Sequence, residues 1–292
     1  MFEGAGTALV TPFTKDGISF ESLDKLIDFQ LDGGIRNILV LGTTGEPATM
    51  TQDEKKSVVD YVVKKVNHRA KVVVGVGCNC TQNTIDMCTL FDNSGIDGLL
   101  VVTPYYNKTN QEGLFQHYST IAKSTQLPII AYNVPYRTGV NMLPETFRRL
   151  VDKHSNIVGV KEASGNMQQI MEYISVLKGT NAIVLSGDDA LTVPTIALGG
   201  YGIISVVSNI IPRQVSEMTN IALSGDIKTA SEMQLTLLPL IKEIFCDVNP
   251  IPIKKATELM GLTNGFLRLP LTKLDAPKTK KLTNILKEFS LC

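Results

Sequence analysis

The chain has 292 residues, about twice the usual domain length, which leaves one large barrel or two ordinary domains open. Its 28 basic side chains balance 28 acidic ones, 43% of residues are hydrophobic and 19% charged, so nothing electrostatic argues for nucleic acid or an anionic membrane as partner. Five cysteines, odd in number and without a C-x-x-C pair, argue against a disulfide framework and a zinc knuckle and point to reduced thiols in a cytoplasmic protein. The opening "MFEGAGTALVTPF" lacks a basic n-region and a long apolar h-region, and nowhere do about 18 apolar residues run together. Neither export nor membrane insertion is expected.

In chain order, the first strand-like run is "GTALVTP" (6–12), followed by a helical pattern in which Leu23, Leu26, Ile27 and Leu31 share a face before Gly33-Gly34. "NILVLG" (37–42) is a second strand, and "TQDE" (51–54) has capping-box spacing for a helix reaching about His68. Further strands are "KVVVGVG" (71–77), "GLLVVTP" (98–104), "PIIAYNV" (128–134) and "IVGVK" (157–161). A helix carrying Met167, Ile170, Met171, Ile174 and Leu177 precedes "AIVLSG" (182–187) and "GIISVVS" (202–208). The eight runs are nearly continuously apolar instead of alternating, as parallel strands covered on both faces require. Eight strand-then-helix units without a long linker predict an α/β (β/α)8 TIM barrel over residues 1–224. A doubly wound open sheet is the runner-up, but no G-x-G-x-x-G follows the first strand. From 225 to 292 the strand signal vanishes, and three further helices predict a C-terminal helical extension packed on the barrel.

In such a barrel the active-site face lies at the C-terminal ends of the strands. By position that face receives Thr43, Thr44 and Glu46, then Tyr105 and Tyr106, then Tyr132, Asn133 and Arg137. Lys161, Gly187 with Asp188, and Ser208 with Asn209 follow from the later strands. Lys161 can simply extend its ammonium to the barrel rim. Small apolar neighbours, Gly159 and Val160, favour a desolvated amine instead. To be appreciably neutral near pH 7 it must fall about 3 units from roughly 10.4, about 4 kcal/mol, which burial can supply. A neutral amine is a nucleophile for a carbonyl and forms a Schiff base, whose dehydration needs a hydroxyl relay nearby; Tyr132 is either that relay or a core aromatic. "LGTTGE" (41–46) is either a tight turn or, through its N–H groups and threonine hydroxyls, a carboxylate cradle. His68, His117 and His154 lack metal-ligand spacing, so no metal is expected. After the seventh strand, Asp188 and Asp189 either repel a phosphate or cap a helix.

Taken together, "LGTTGE", "TPYYNK", "YNVPYRTG", "VGVKEASGN", "LSGDDA" and "LGGYGIISVVSN" resemble the dihydrodipicolinate synthase family of pyruvate-dependent class I aldolases, over the whole chain. The resemblance implies that Lys161 forms a Schiff base with pyruvate, whose enamine adds to L-aspartate 4-semialdehyde, with no cofactor. It implies Tyr132 as proton relay, linked through Thr43 to Tyr106, a residue that in the family reaches into a neighbouring subunit. Thr44, with Thr43, is implied to hold the pyruvate carboxylate, assisted by backbone groups of Gly187 and Ile204. Arg137 is implied to clamp the semialdehyde carboxylate, a task suited to a planar bidentate donor. A homo-oligomer, dimer or dimer of dimers, is implied as well. N-acetylneuraminate lyase and sugar-acid lyases share the imine chemistry, but Arg137 and Thr43 favour the synthase; a catalytically silent keto-acid-binding barrel is the remaining alternative.

One departure concerns feedback. Lysine-sensitive members of the family carry histidines in the segment after "GTTGE" and a glutamate after the third strand, where this chain has Gln52, Lys55 and Asn83. Asn79 and Tyr105 of that site do match. A lost carboxylate and an added cation weaken binding of a cationic ligand, so lysine is expected to inhibit poorly or not at all. Half-inhibition at submillimolar lysine in a steady-state assay would overturn this.

Overall fold

The computed structural model describes residues 2–292. Eight parallel strands form a closed barrel: β1 (Gly4–Ala8), β2 (Asn37–Val40), β3 (Lys71–Gly75), β4 (Gly98–Val102), β5 (Ile129–Asn133), β6 (Ile157–Glu162), β7 (Ile183–Ser186) and β8 (Gly202–Ser205). Each strand pairs with the next, and β1 closes on β8 with Gly4 opposite Gly202. Eight helices form the outer layer: α1 (Phe20–Asp32), α2 (Gln52–Val66), α3 (Thr81–Phe91), α4 (Gln111–Ser124), α5 (Pro144–Lys153), α6 (Met167–Val176), α7 (Thr192–Ala197) and α8 (Pro212–Leu223). Three more follow: α9 (Ile227–Ile244), α10 (Ile251–Leu259) and α11 (Ala276–Glu288). They pack on one another, and α9 also lies against α7 and α8.

The local causes match the expected ones. Thr51 and Glu54 cap α2 reciprocally, Thr51 Oγ1 accepting from the Glu54 N–H at 3.2 Å and Glu54 Oε2 accepting from the Thr51 N–H at 3.0 Å. The α1 face carrying Leu23, Leu26 and Ile27 is buried, as its spacing predicts. Between strands and helices the large aromatics place their hydroxyls on backbone carbonyls, Tyr118 on Val101 at 2.8 Å and Tyr173 on Met142 at 2.6 Å, so each ring is buried without an orphaned oxygen. Among the described residues no helix is long and apolar enough to cross a membrane.

Several strands end two or more residues earlier than their apolar runs. After β1, Leu9 and Val10 stay buried: the Leu9 N–H still donates to the Leu39 carbonyl of β2 at 2.9 Å, and beyond it the Asn209 side chain takes over, its Oδ1 accepting from the Val10 N–H at 3.1 Å and its Nδ2 donating to the Ala8 carbonyl at 2.8 Å. Apolar residues past the ladder roof the barrel, and a strand pattern does not separate the two roles.

The register between β5 and β6 contains one irregularity. Ile129 pairs with Ile157, but Ile130 pairs with Gly159, so Val158 is an extra residue and every later pair is moved by one. In consequence Tyr132 stands opposite Lys161 and Asn133 opposite Glu162. Without that bulge Tyr132 would face Val160 and the lysine would lose its aromatic neighbour, since a one-residue slip exchanges the two faces of a strand.

Candidate active site

Lys161 is only 5% exposed, and among the described residues its ammonium has no hydrogen-bond or ion-pair partner. Its Nζ lies 4.4 Å from the centroid of the Tyr132 ring, the arrangement set by their pairing. Burial lowers its pKa to about 8, opposed by the carboxylate of Asp189 and assisted by the positive charge of Arg137. On the other side of the lysine, a Cβ added at Gly187 would stand 3.1 Å from both its Cγ and its Cε and 2.7 Å from the Cβ of Ala163, so this glycine leaves room for the lysine stem. The Gly187 N–H donates to the Glu162 carbonyl at 2.7 Å, which leaves its own carbonyl as the backbone group free for a ligand.

Glu162, next in the strand, points the opposite way and anchors the rim. Its carboxylate accepts from the Asn133 side chain and the Ser164 N–H, both at 2.8 Å, and Asn133 in turn binds Asn141. Burial holds its pKa above the ordinary carboxylate value, with these donors acting against the rise.

Thr43 and Thr44 lie in a short 3-10 turn, Thr43–Gly45, directly after β2. Thr43 stands beside Tyr132, and its hydroxyl partly offsets the upward pKa shift that burial imposes on that phenol. Thr44 is buried, its Oγ1 accepting from Asn249 Nδ2 at 2.9 Å. Arg137 sits in a single helical turn, Pro135–Thr138, and its Nη2 donates to the Asn249 carbonyl at 3.0 Å. Thr43, Tyr132, Arg137 and Asn249 border one cavity of about 410 Å³. Gly187 borders a separate depression of about 290 Å³, with Ala163, Asp188 and Tyr136. Lys161 therefore touches residues of both.

Ile204 lies in β8 at the barrel wall, buried, opposite Gly6. Tyr106 does not join the site within this chain: it is 89% exposed, with a left-handed backbone at φ 70°. Non-glycine residues with positive φ recur around this mouth, at Leu41, Glu46, Tyr106 and Lys108, a conformation that persists only where surrounding structure enforces it. Ser208 and Asn209 serve the β1–β8 seam, Ser208 donating to Thr7 Oγ1 at 2.8 Å. Asp188 is a cap, accepting from the Ala190 N–H at 2.9 Å.

Four site residues escaped the sequence reading, received no role in it or, for Asp189, take a part other than the expected helix cap. Asp189 is buried and accepts from Ser205 Oγ at 2.5 Å and the Val206 N–H at 2.9 Å; burial still raises its pKa to about 6. Glu46 and Lys254 form an ion pair buried on both sides, Lys254 also donating to the Phe266 carbonyl at 2.9 Å and lying 4.3 Å from the Phe13 ring centroid. Burial outweighs the attraction of Glu46 and lowers the pKa of Lys254 to about 8. Asn249 is the fourth. None of the three histidines approaches this mouth as a ligand set: among the described residues no group of three His, Cys, Asp or Glu side chains is arranged to hold a metal ion. His117 is a core residue whose Nδ1 shares a 2.9 Å hydrogen bond with Thr81 Oγ1.

Among known proteins, a sequence model of the dihydrodipicolinate synthetase family matches residues 1–289. The chain belongs to that family. It is 45% identical to the 4-hydroxy-tetrahydrodipicolinate synthase of Methanocaldococcus jannaschii over 291 residues, covering 100% of each chain. The synthase of Thermoanaerobacter sp. (strain X514) is also 45% identical over 291 residues, covering 100% of this chain and 98% of that one. Among solved structures, the dihydrodipicolinate synthase of Thermotoga maritima superposes with a TM-score of 0.98 at 43% identity, covering 100% of both chains. As a dihydrodipicolinate synthetase family member the chain is an enzyme of the lyase class.

Proposed function

We propose that this enzyme condenses pyruvate with L-aspartate 4-semialdehyde to 4-hydroxy-tetrahydrodipicolinate, the first committed step of diaminopimelate and lysine biosynthesis, through a Schiff base on Lys161. The observation that carries the reading is a buried lysine that makes no direct ion pair among the described residues, held against a tyrosine ring, with a pKa lowered to about 8. In the neutral fraction the Nζ lone pair attacks the keto carbon of pyruvate. The carbinolamine then loses water, the departing oxygen taking protons relayed by Tyr132.

Thr43 extends the relay, and the exposed Tyr106 completes it from a second subunit, which the reading therefore requires as a dimer or dimer of dimers. Thr44, with Thr43, holds the pyruvate carboxylate, with the carbonyl of Gly187 and the backbone of Ile204 beside the keto end. The enamine carbon adds to the aldehyde of the second substrate, whose carboxylate Arg137 clamps. The substrate's own amine then attacks the imine carbon, closes the ring and releases Lys161. All of this is acid–base and covalent chemistry of side chains and needs no cofactor. A cytoplasmic location accords with the free thiols at all five cysteines.

The test is incubation with pyruvate and borohydride, followed by peptide mass mapping. A reduced pyruvyl adduct on Lys161 is expected; labelling spread over surface lysines, or none, would sink the proposal. A coupled assay with the semialdehyde then decides the acceptor.

A further inference from the structure

Asn249 lies in the segment between α9 and α10, outside the eight barrel units, yet among the described residues it is the one joined to both expected carboxylate subsites. Its side-chain amide holds the Thr44 hydroxyl at 2.9 Å and its backbone carbonyl holds the Arg137 guanidinium at 3.0 Å. It is 8% exposed, and its Oδ1 is buried without any partner. An amide that leaves a buried acceptor unpaired is a poor choice for stability alone, since such an orphan costs more than a satisfied hydrogen bond returns. The same residue borders the 410 Å³ cavity that Thr43, Tyr132 and Arg137 share.

We infer that Asn249 is a positioning residue, which orients the Thr44 hydroxyl toward the keto-acid carboxylate through its side chain and fixes the position of Arg137 through its carbonyl. The inference rests on the reading of Lys161 as the Schiff-base nucleophile. The two arms are chemically separable. Substitution of the side chain removes the hold on Thr44 but leaves the backbone carbonyl, so binding of the keto acid weakens while that of the second substrate changes little.

The test uses Asn249→Ala, Thr44→Val and the double variant, with half-saturation read in the pyruvate–borohydride trap and KM for the semialdehyde read in steady state. Asn249→Ala is expected to raise pyruvate half-saturation about threefold to tenfold, the effect of one hydrogen bond. In the Thr44→Val background the same change should add nothing, because its route is gone. Multiplying effects in the double variant, or an unchanged half-saturation in the single one, would overturn the inference while the Lys161 adduct stands. A wild-type enzyme that forms no adduct would overturn the mechanism and this inference with it. Should Asn249→Ala not fold, the near-isosteric Asn249→Asp carries the test. Its charge beside the carboxylate subsite should raise pyruvate half-saturation further than the loss of the amide alone, and no rise would count against the inference.

Discussion

Replacing Lys161 with methionine should abolish the condensation and at the same time make the folded protein more stable at neutral pH. On the proposed mechanism this substitution removes the nucleophile and with it the covalent route, so kcat/KM is expected to fall by more than about a thousandfold, about 4 kcal/mol of transition-state stabilisation. The stability gain comes from the same burial that activates the amine. The folded-state pKa lies at about 8, below the ordinary value of 10.5. Below pH 8 the amine is protonated in both states, and the fold carries the full cost of a desolvated charge, at most about 3 kcal/mol. Between about 8 and 10.5 the unfolded chain binds more protons than the fold, so wild-type stability rises with pH. The methionine variant, of similar length and apolar, should unfold at higher denaturant at pH 7 and lose that advantage by about pH 10.5. Equal stability of the two at pH 7 would refute the desolvated-amine account. In the wild type, kcat/KM for pyruvate should climb with unit slope below pH 8 and level off above it, since only about a tenth of the amine is neutral at pH 7.

The second large effect is expected at the buried ion pair of Glu46 and Lys254. Lys254→Ala would leave Glu46 buried with no ammonium beside it, and breaking a buried pair from one side typically costs about 3–5 kcal/mol. For a chain of this size that is a fall in Tm of roughly 10 °C. Activity should suffer as well. Glu46 closes the turn that carries Thr43 and Thr44, with a left-handed backbone at φ 55°, and Lys254 is the cation that holds it there. The backbone N–H of Arg268 at 3.3 Å is its other partner. A raised KM for pyruvate in the folded fraction is therefore expected alongside the lower Tm. Replacing both residues, Glu46→Gln with Lys254→Met, should recover most of the stability, because no uncompensated charge then remains. Thermal melts of the three proteins settle the matter: a single variant as stable as wild type would mean the pair contributes nothing.

Much of the architecture was legible from residues alone. Eight apolar runs with helical patterns between them specify a barrel, and a charge at the end of one run marked Lys161. The same signal was present at Lys254, which follows "NPIPI", but that stretch falls among the three helices expected of the C-terminal extension, where no strand end is looked for. The register irregularity at Val158 has no pattern of its own, although it decides which side chain faces Tyr132. Asn249 was out of reach for another reason: its partner Thr44 lies 205 positions earlier, and no periodicity spans such a separation. The part proposed for Tyr106 comes through resemblance and not from position, since nothing in a single chain distinguishes an exposed tyrosine that meets a neighbouring subunit from any other.

The hold of Asn249 on Thr44 also bears on how the protein is made. Translation delivers β1 to β8, with Lys161 and Tyr132, before residue 249 exists, so the Thr44 hydroxyl is without its amide partner when all eight strands have been made. A chain that stopped short of residue 249 would thus carry Lys161 beside Tyr132 with the Thr44 hydroxyl left without its amide partner.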